Sequence, residues 1–146
     1  MPRYALAVCA GGPSFFAGHG FLNSAGGDVY YHTVSGHTSP FNPFGPDTTT
    51  PQGTASVAAR SCLASGLRVV LDVPAPPGGV RMALQRGTTF ATLSDTAVTC
   101  TVPIGSTTCT SAAASEAIGT GELIVFRSDT VGISIDVNAS FGWSCQ

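Results

Sequence analysis

Apolar and polar residues alternate with a period of two along much of this chain. The alternation is clearest at Gly66–Val73, Val80–Arg86 and Val131–Asn138, where every second side chain is aliphatic. This period is typical of β-strands that bury one face. Turns rich in glycine and proline, such as Pro74–Gly79, separate the alternating segments. The pattern therefore predicts an all-β domain of about eight to ten short strands.

Four more segments favour strands by their β-branched and aromatic content: Arg3–Cys9, Asp28–Val34, Thr54–Leu63 and Leu123–Phe126. Helical periodicity extends nowhere beyond one turn, and the best helix candidate, Ser111–Ala117, is too short to be stable alone. Short strands separated by such turns build a sandwich or a barrel. We therefore predict a single jelly-roll β-sandwich domain over residues 1–146.

The segment Ala97–Cys109 is predicted to form a hairpin with its turn at Pro103–Gly105. Cys100 and Cys109 then lie on opposite arms, where cross-strand side chains come within disulfide reach. The entropy of closing this short loop corresponds to about 2.7 kcal/mol of stabilisation. We therefore expect a Cys100–Cys109 disulfide.

Three further cysteines are present. Cys9 lies near the end of the first predicted strand, and Cys145 lies near the end of the last. Because jelly rolls pair their first and last strands, we expect a Cys9–Cys145 disulfide that joins the two ends. Cys62 is then left over, either buried and inert or bonded across a subunit interface.

The segment Ser35–Gly53 is predicted to be a long surface loop, since it contains four prolines and three glycines. Phe41 and Phe44 lie inside it, three positions apart. They could fill pockets on a partner, or they could fold back over the sandwich itself. Replacing both with alanine would separate the two interpretations, because only the second predicts a sharp fall in melting temperature.

Charged residues make up 10% of the chain, and the formal net charge is −2. This balance gives no electrostatic argument for a nucleic acid or membrane partner. A weakly charged, apolar surface is more soluble when neighbouring subunits cover part of it. No secretory signal is recognised, which predicts synthesis in a cytoplasm, whereas five cysteines suit an oxidising environment. A protein made inside a cell that works outside it reconciles both observations.

Candidate catalytic chemistry is sparse. The histidines, His19, His32 and His37, match no metal-ligand spacing, and we expect them to be hydrogen-bonded or exposed. No serine lies in a nucleophile-elbow motif, and the carboxylates are scattered singly near turns. The sequence predicts no catalytic residue, no metal site and no cofactor, so we do not expect an enzyme.

Motifs between Ala58 and Trp143 resemble two groups of known proteins. Gly121-Glu122 followed by LIVF, and the closing Phe141-Gly142-Trp143, resemble the jelly-roll family of tumour necrosis factor and complement C1q, with Glu where Asp is usual. The strand up to Val73, the PAPPGG turn, VRMALQR and the two-cysteine hairpin resemble small β-sandwich domains of tailed-phage genomes. Where that group usually has an Asn-Gly turn, this chain has Arg86-Gly87.

This resemblance implies a structural virion protein on the outer capsid surface of a tailed phage. Its expected role is decoration, or cement, bound to the major capsid protein. The alternative is a receptor- or glycan-binding head of a tail or head fibre. The resemblance also implies a homotrimer, or another small symmetric cluster, that associates through an apolar sheet face. The candidate residues for that face are Tyr30, Phe126, Phe141 and Trp143.

Overall fold

A computed structural model of the chain describes residues 14–23, 29–34, 36–38, 50–111, 113–130 and 136–146. Within these residues the chain forms strands and short 3-10 turns at Pro51–Gly53 and Phe90–Thr92, with no α-helix. The strands are β1 (Ser14–Asn23), β2 (Val29–His32), β3 (Gly36–Thr38), β4 (Ser56–Val57), β5 (Cys62–Leu71), β6 (Val80–Gly87), β7 (Ser94–Val102), β8 (Thr108–Thr110), β9 (Ser115–Ile118), β10 (Leu123–Thr130) and β11 (Asp136–Cys145).

The strands form two sheets that face each other. Sheet I has the order β3-β1-β11-β5-β8, and β9 also pairs with β5. Sheet II has the order β2-β10-β6-β7, and β4 also pairs with β10. The first long strand pairs with the last, and the chain passes repeatedly from one sheet to the other, which is jelly-roll connectivity. The predicted all-β sandwich is confirmed.

Alternation along the strands sets the core between the sheets. In β5 the buried residues Leu67, Val69 and Leu71 alternate with the exposed Arg68 and Val70. The same alternation in the other long strands supplies the remaining apolar side chains that meet between the sheets. The predicted strand at residues 66–73 therefore has the face assignment that its pattern indicated, as far as Leu71.

A β-bulge at Gly66 shifts the phase of that alternation. The register with β11 runs from Gly142 opposite Arg68 to Ser144 opposite Ser65, so β5 carries one extra residue. Gly66 has a φ of 67°, a left-handed conformation that glycine adopts without steric cost. Ala64 lies three residues before Leu67, a spacing that places two side chains on opposite faces of a regular strand. Because of the bulge, both side chains are buried in the core.

The segment predicted as a hairpin connects the two sheets instead. β7 pairs with β6 in sheet II, whereas β8 pairs with β5 in sheet I. Cys100 and Cys109 are disulfide-bonded as predicted, with Cα atoms 5.9 Å apart. This bond therefore ties the edge of one sheet to the edge of the other, instead of joining two paired arms. Turn residues alone do not determine whether the returning strand pairs with its predecessor or crosses over.

The segment Ser111–Ala117, expected to be too short for a stable helix, contains the start of β9 at Ser115. One other local prediction needs correction. The loop predicted at 35–53 includes β3, which pairs in parallel with β1. This is possible because Gly36–Thr38 precedes the prolines and keeps its backbone donors. Part of that loop (39–49), the predicted strand at 3–9 and residues 131–135 lie outside the described residues.

The Cys9–Cys145 pairing is wrong, because Cys145 bonds with Cys62 at a Cα separation of 5.4 Å. The expected pairing of first and last strands does exist, but its register places Ser14 opposite Cys145. On the other side of β11, strand β5 places Ala64 opposite Cys145, with Cys62 two residues away. Cys62 is therefore neither inert nor bonded to another subunit, and Cys9 lies outside the described residues.

Gly18 occupies a position where β1 meets the core. It is the register partner of Phe141 on β11. A Cβ atom built on Gly18 would overlap the ring of Phe141, whose edge lies directly over the glycine. The absent side chain therefore provides the space in which a large core aromatic packs.

Candidate interaction surface

Four aromatic side chains pack together inside the sandwich. Phe16 stacks on Trp143 with ring centroids 4.7 Å apart, and Phe126 meets Phe141 at 4.9 Å. The indole Nε1 of Trp143 donates to the carbonyl of Val34 at 2.9 Å. Trp143 is 3% exposed and Phe126 is fully buried.

The prediction that three of these aromatic side chains form part of an intersubunit surface is therefore wrong. Trp143, Phe126 and Phe141 are core residues because alternation along β10 and β11 directs them between the sheets. Tyr30, the fourth candidate, is also buried. Sequence alternation identified side chains that share a face, but it could not tell the inner face from the outer one.

The outer face of sheet I carries an open depression of about 650 Å³. Its lining includes small residues of three adjacent strands, Ala17 on β1, Gly142 on β11 and Gly66 on β5. Val70 stands in the depression and is 39% exposed. Ser140 adds a hydroxyl group from β11. Small side chains in the centre of a sheet let another surface approach its backbone closely.

Arg68 also lines this depression and is exposed. It lies between Gly142 on β11 and Thr110 on β8 in the register of sheet I. Within the described part of the chain, no carboxylate forms an ion pair with its guanidinium. A guanidinium in this state can bind a carboxylate or another planar anion by donating two parallel hydrogen bonds to it.

The outer face of sheet II is charged but internally neutralised. Arg81 contacts Asp95 at 2.6 Å and Asp129 at 3.2 Å. Arg127 contacts the same two carboxylates, Asp129 at 2.8 Å and Asp95 at 3.7 Å. These four side chains form a closed ring of alternating charge across β6, β7 and β10. Gln85 donates a further hydrogen bond to Asp95 at 2.7 Å.

The ring favours the charged forms of Arg81 and Asp95. Burial alone would raise the pKa of Asp95, but hydrogen bonds from Gln85 and Arg81 outweigh it and lower that pKa. The hydrogen bond to Asp95 raises the pKa of Arg81 against the opposing effect of burial. The ring therefore presents little net charge to a partner, in contrast to Arg68.

A second ionic cluster closes one end of the sandwich. Arg86 on β6 contacts Glu116 on β9 at 2.9 Å and Glu122 in the turn before β10 at 2.7 Å. The other oxygen of Glu122 accepts the backbone N–H of Gly119 at 2.6 Å. That backbone bond, followed by Arg86, lowers the pKa of Glu122. The acid at the predicted Gly121–Glu122 turn thus binds its own turn and Arg86, and Arg86 connects sheet II to sheet I through Glu116.

A polar pair lies in the apolar core. His32 is 1% exposed, and its Nε2 lies 2.8 Å from the Oγ of Ser128, which is equally buried. A serine beside a histidine is the arrangement of an activated nucleophile. Both groups here are enclosed by the core, and Nδ1 has no hydrogen-bond partner among the described residues. The pair therefore presents no nucleophile to solvent.

Sequence reasoning missed this pair, although a signal was present. In the segment 29–34, Tyr30, His32 and Val34 alternate with Val29 and Tyr31, so His32 shares a face with two large apolar residues. That face is the buried one. Ser128 gave no signal of its own, because a serine is common on either face of a strand.

The other predicted residues are not placed at the surface depression. Phe41 and Phe44 lie outside the described residues, so their role as interface anchors stays a prediction. His19 pairs in register with His37 on β3. Within the described ranges, no group of three metal-binding side chains converges. In that same part of the chain, no helix is long and apolar enough to cross a membrane.

Comparison with known proteins gives no relative: no protein family, no curated protein and no solved structure matches this chain.

Proposed function

We propose that this chain is a structural protein of a virus particle, a decoration protein bound to the major capsid protein on the outer surface of a tailed-phage capsid. The observation that carries the proposal is the outer face of sheet I, where small residues and hydroxyl groups surround Val70 in an open depression. A concave sheet face lined mostly by uncharged groups, with Arg68 as its charged residue, can lie against another protein at low desolvation cost.

Covalent bracing supports the same role. Cys62–Cys145 ties two strands that are distant in sequence, and Cys100–Cys109 ties the edges of the two sheets. Such bonds persist in oxidising surroundings. The resemblance of residues 58–143 to small phage β-sandwich domains points to the same setting. A braced domain with one largely uncharged face suits a component that must stay folded on a particle outside the cell.

The copy number of the chain in purified particles tests the role. The tryptic peptide Met82–Arg86 can be quantified by mass spectrometry against peptides of the major capsid protein. A decoration protein is expected at a ratio near that of the shell subunits. A ratio lower by about tenfold or more indicates a fibre component, and absence from the particles contradicts a virion role altogether.

The attachment surface is tested with a matched pair of variants. Val70→Asp places a charge in the depression of sheet I, whereas Thr101→Asp places one on an exposed position of β7 in sheet II. We expect purified Val70→Asp to lose binding to particles that lack the protein, while Thr101→Asp binds like the wild type. Equal binding of both variants would show that this face of sheet I is not the attachment surface.

The alternative function, a receptor- or glycan-binding fibre head, is favoured by Arg68. Its guanidinium lines the depression without an ion-pair partner in the described residues, and it could hold an acidic sugar or carboxylate. Arg68→Ala should then abolish binding to host cells and leave binding to the capsid intact. If Arg68→Ala instead loses binding to the capsid and keeps binding to host cells, decoration is favoured.

The homotrimer also remains part of the proposal. Its expected aromatic face is in the core, so association would use other exposed apolar side chains, among them Ile104 at 63% and Val57 at 64% exposure. Sedimentation equilibrium of the purified protein tests it directly. A stable monomer at micromolar concentration would contradict the trimer.

A further inference from the structure

His32 lies in strand β2 at the described edge of sheet II, and its side chain points between the sheets. Its ring is 6.3 Å from the ring of Phe141 across the core. A fully buried imidazole with one side-chain hydrogen bond is unusual, because buried polar groups are normally satisfied at every site. The unpartnered Nδ1 therefore calls for an explanation.

The hydrogen-bond geometry favours one protonation state. Nε2 of His32 lies 2.8 Å from the Oγ of Ser128, and that hydroxyl lies 3.5 Å from the carbonyl of Tyr30. If Nε2–H donates to the serine, the serine can donate onward to the carbonyl. Nδ1 then carries only a lone pair. A buried lone pair without a partner costs the least free energy of the groups that this ring could leave unpaired. A proton on Nδ1 would add both a charge and an unpaired donor.

Among the described residues of β10 and β11, no charged group faces His32 to compensate that proton. The residues of β10 that face His32 are Phe126 and Ser128, and from β11 it is Phe141. The charged residues of β10, Arg127 and Asp129, alternate onto the outer face, where they belong to the ion-pair ring. Burial accordingly lowers the pKa of His32 from 6.5 to about 4.

Strand β2 is a short strand at the described edge of sheet II. Its ladder to β10 comprises only four residue pairs, from Val29 to His32. Beyond the ladder, its anchors include the His32–Ser128 bond and the indole of Trp143, which donates to the carbonyl of Val34. A short edge strand is the element that opens most readily.

We propose that His32 makes β2 an acid-releasable latch, in which protonation of its imidazole detaches residues 29–34 from β10 while the rest of the sandwich stays folded. Release would uncover the rings of Phe126 and Trp143 and the unpaired edge of β10. The protein would thereby expose an apolar surface in an acidic environment that it hides at neutral pH.

The direction follows from linkage. The pKa of His32 is lower in the closed state than in an open, hydrated state, so the open state binds the proton more tightly. Opening is therefore favoured progressively as the pH falls from 6.5 towards 4. The shift between those values corresponds to a rise of up to about 300-fold in the ratio of open to closed molecules.

Trp143 provides a built-in reporter, because it is the only tryptophan of the chain. We expect its fluorescence to shift to longer wavelength on acidification, with a midpoint between 4 and 6.5. Hydrogen exchange followed by mass spectrometry should show loss of protection at residues 29–34 while β5 and β6 stay protected. Unchanged protection of residues 29–34 at about pH 4.5, or simultaneous loss in every strand, would overturn the latch.

Two variants assign the transition to His32. His32→Gln keeps a donor for Ser128 but cannot take up a proton in this range, so the fluorescence transition should disappear. His19→Gln combined with His37→Gln removes the other histidines and should leave the transition in place. A transition retained in His32→Gln contradicts the latch. If His32→Gln does not fold, the exchange experiment on the wild-type protein still decides the question.

Discussion

The links between neighbouring strands within sheet I differ chemically from those within sheet II. In sheet I the disulfide Cys62–Cys145 joins the neighbouring strands β5 and β11. In sheet II the joining element is the ring of Arg81, Asp95, Arg127 and Asp129 across β6, β7 and β10. The disulfide takes up none of the outer face of sheet I, whereas the ionic ring lies on the outer face of sheet II.

That difference explains the two surfaces. Because sheet I is braced at the ends of β5 and β11, the middle of its outer face can consist of Gly142, Ser140 and Val70. Sheet II uses its outer face for the ring, so little of that face is left for a partner. The position of the brace thus determines which face is available for binding.

Removing the sheet I disulfide should have the largest effect. Cys62→Ala with Cys145→Ala opens a loop with a sequence separation of 83, for which loop-closure entropy corresponds to about 4.5 kcal/mol. Urea unfolding should show a loss of this size that does not depend on salt.

The matched control is Cys100→Ala with Cys109→Ala, whose bridge spans a separation of 9. Its expected loss is smaller, about 2.7 kcal/mol, because the loop is short. Equal losses in the two variants would mean that loop length does not govern the contribution of these bridges.

The ionic clamp at the end of the sandwich should have an intermediate effect. Arg86→Gln leaves Glu116 and Glu122 facing each other without a cation, and we expect a loss of about 1 kcal/mol at neutral pH, limited by solvent screening. The pKa of Glu122 is lowered in the folded protein, so its contribution is present above its ordinary value of 4.5 and is lost in acid.

The difference between wild type and Arg86→Gln should therefore shrink as the pH falls below 4.5. Thermal unfolding measured across this range checks the trend. Arg86→Lys keeps the charge but lacks the planar fork, so it should lie between the two. A difference that grows in acid would contradict the assigned role of Glu122.

The ring of sheet II should show the smallest effect. Arg127→Gln removes two of its four contacts, yet Arg81 still bridges Asp95 and Asp129. We expect a loss below about 1 kcal/mol that fades in about 1 M salt, since these side chains are partly exposed. A large loss that salt does not alter would mean that the ring braces sheet II as firmly as a covalent bond.

The fold class followed from local patterns, whereas the pairing of distant strands did not. Alternation in β5 and β6 and the turn at Pro74–Gly79 were sufficient to predict a sandwich. The partner of Cys145 depends on the register of β11 against both β1 and β5, which no local pattern specifies. The same limit applies to the crossing between β7 and β8.

The candidate surface was the harder prediction. Large aromatic residues such as Trp143 attract attention in a sequence, but here they fill the core. Much of the exposed depression is lined by glycine, alanine and serine, which carry no distinctive signal in a sequence. Arg68 became informative only when the other described basic residues of the sheets, Arg81, Arg86 and Arg127, proved to be ion-paired.

The contact between Gly18 and Phe141 has a consequence for how this sequence can diverge. Since a Cβ at position 18 would overlap the ring at position 141, neither residue can change freely while the other is kept. A descendant with alanine at position 18 needs a smaller side chain at 141, and the two substitutions are tolerated together more easily than the first alone. Positions 18 and 141 are therefore expected to covary and to evolve as one unit.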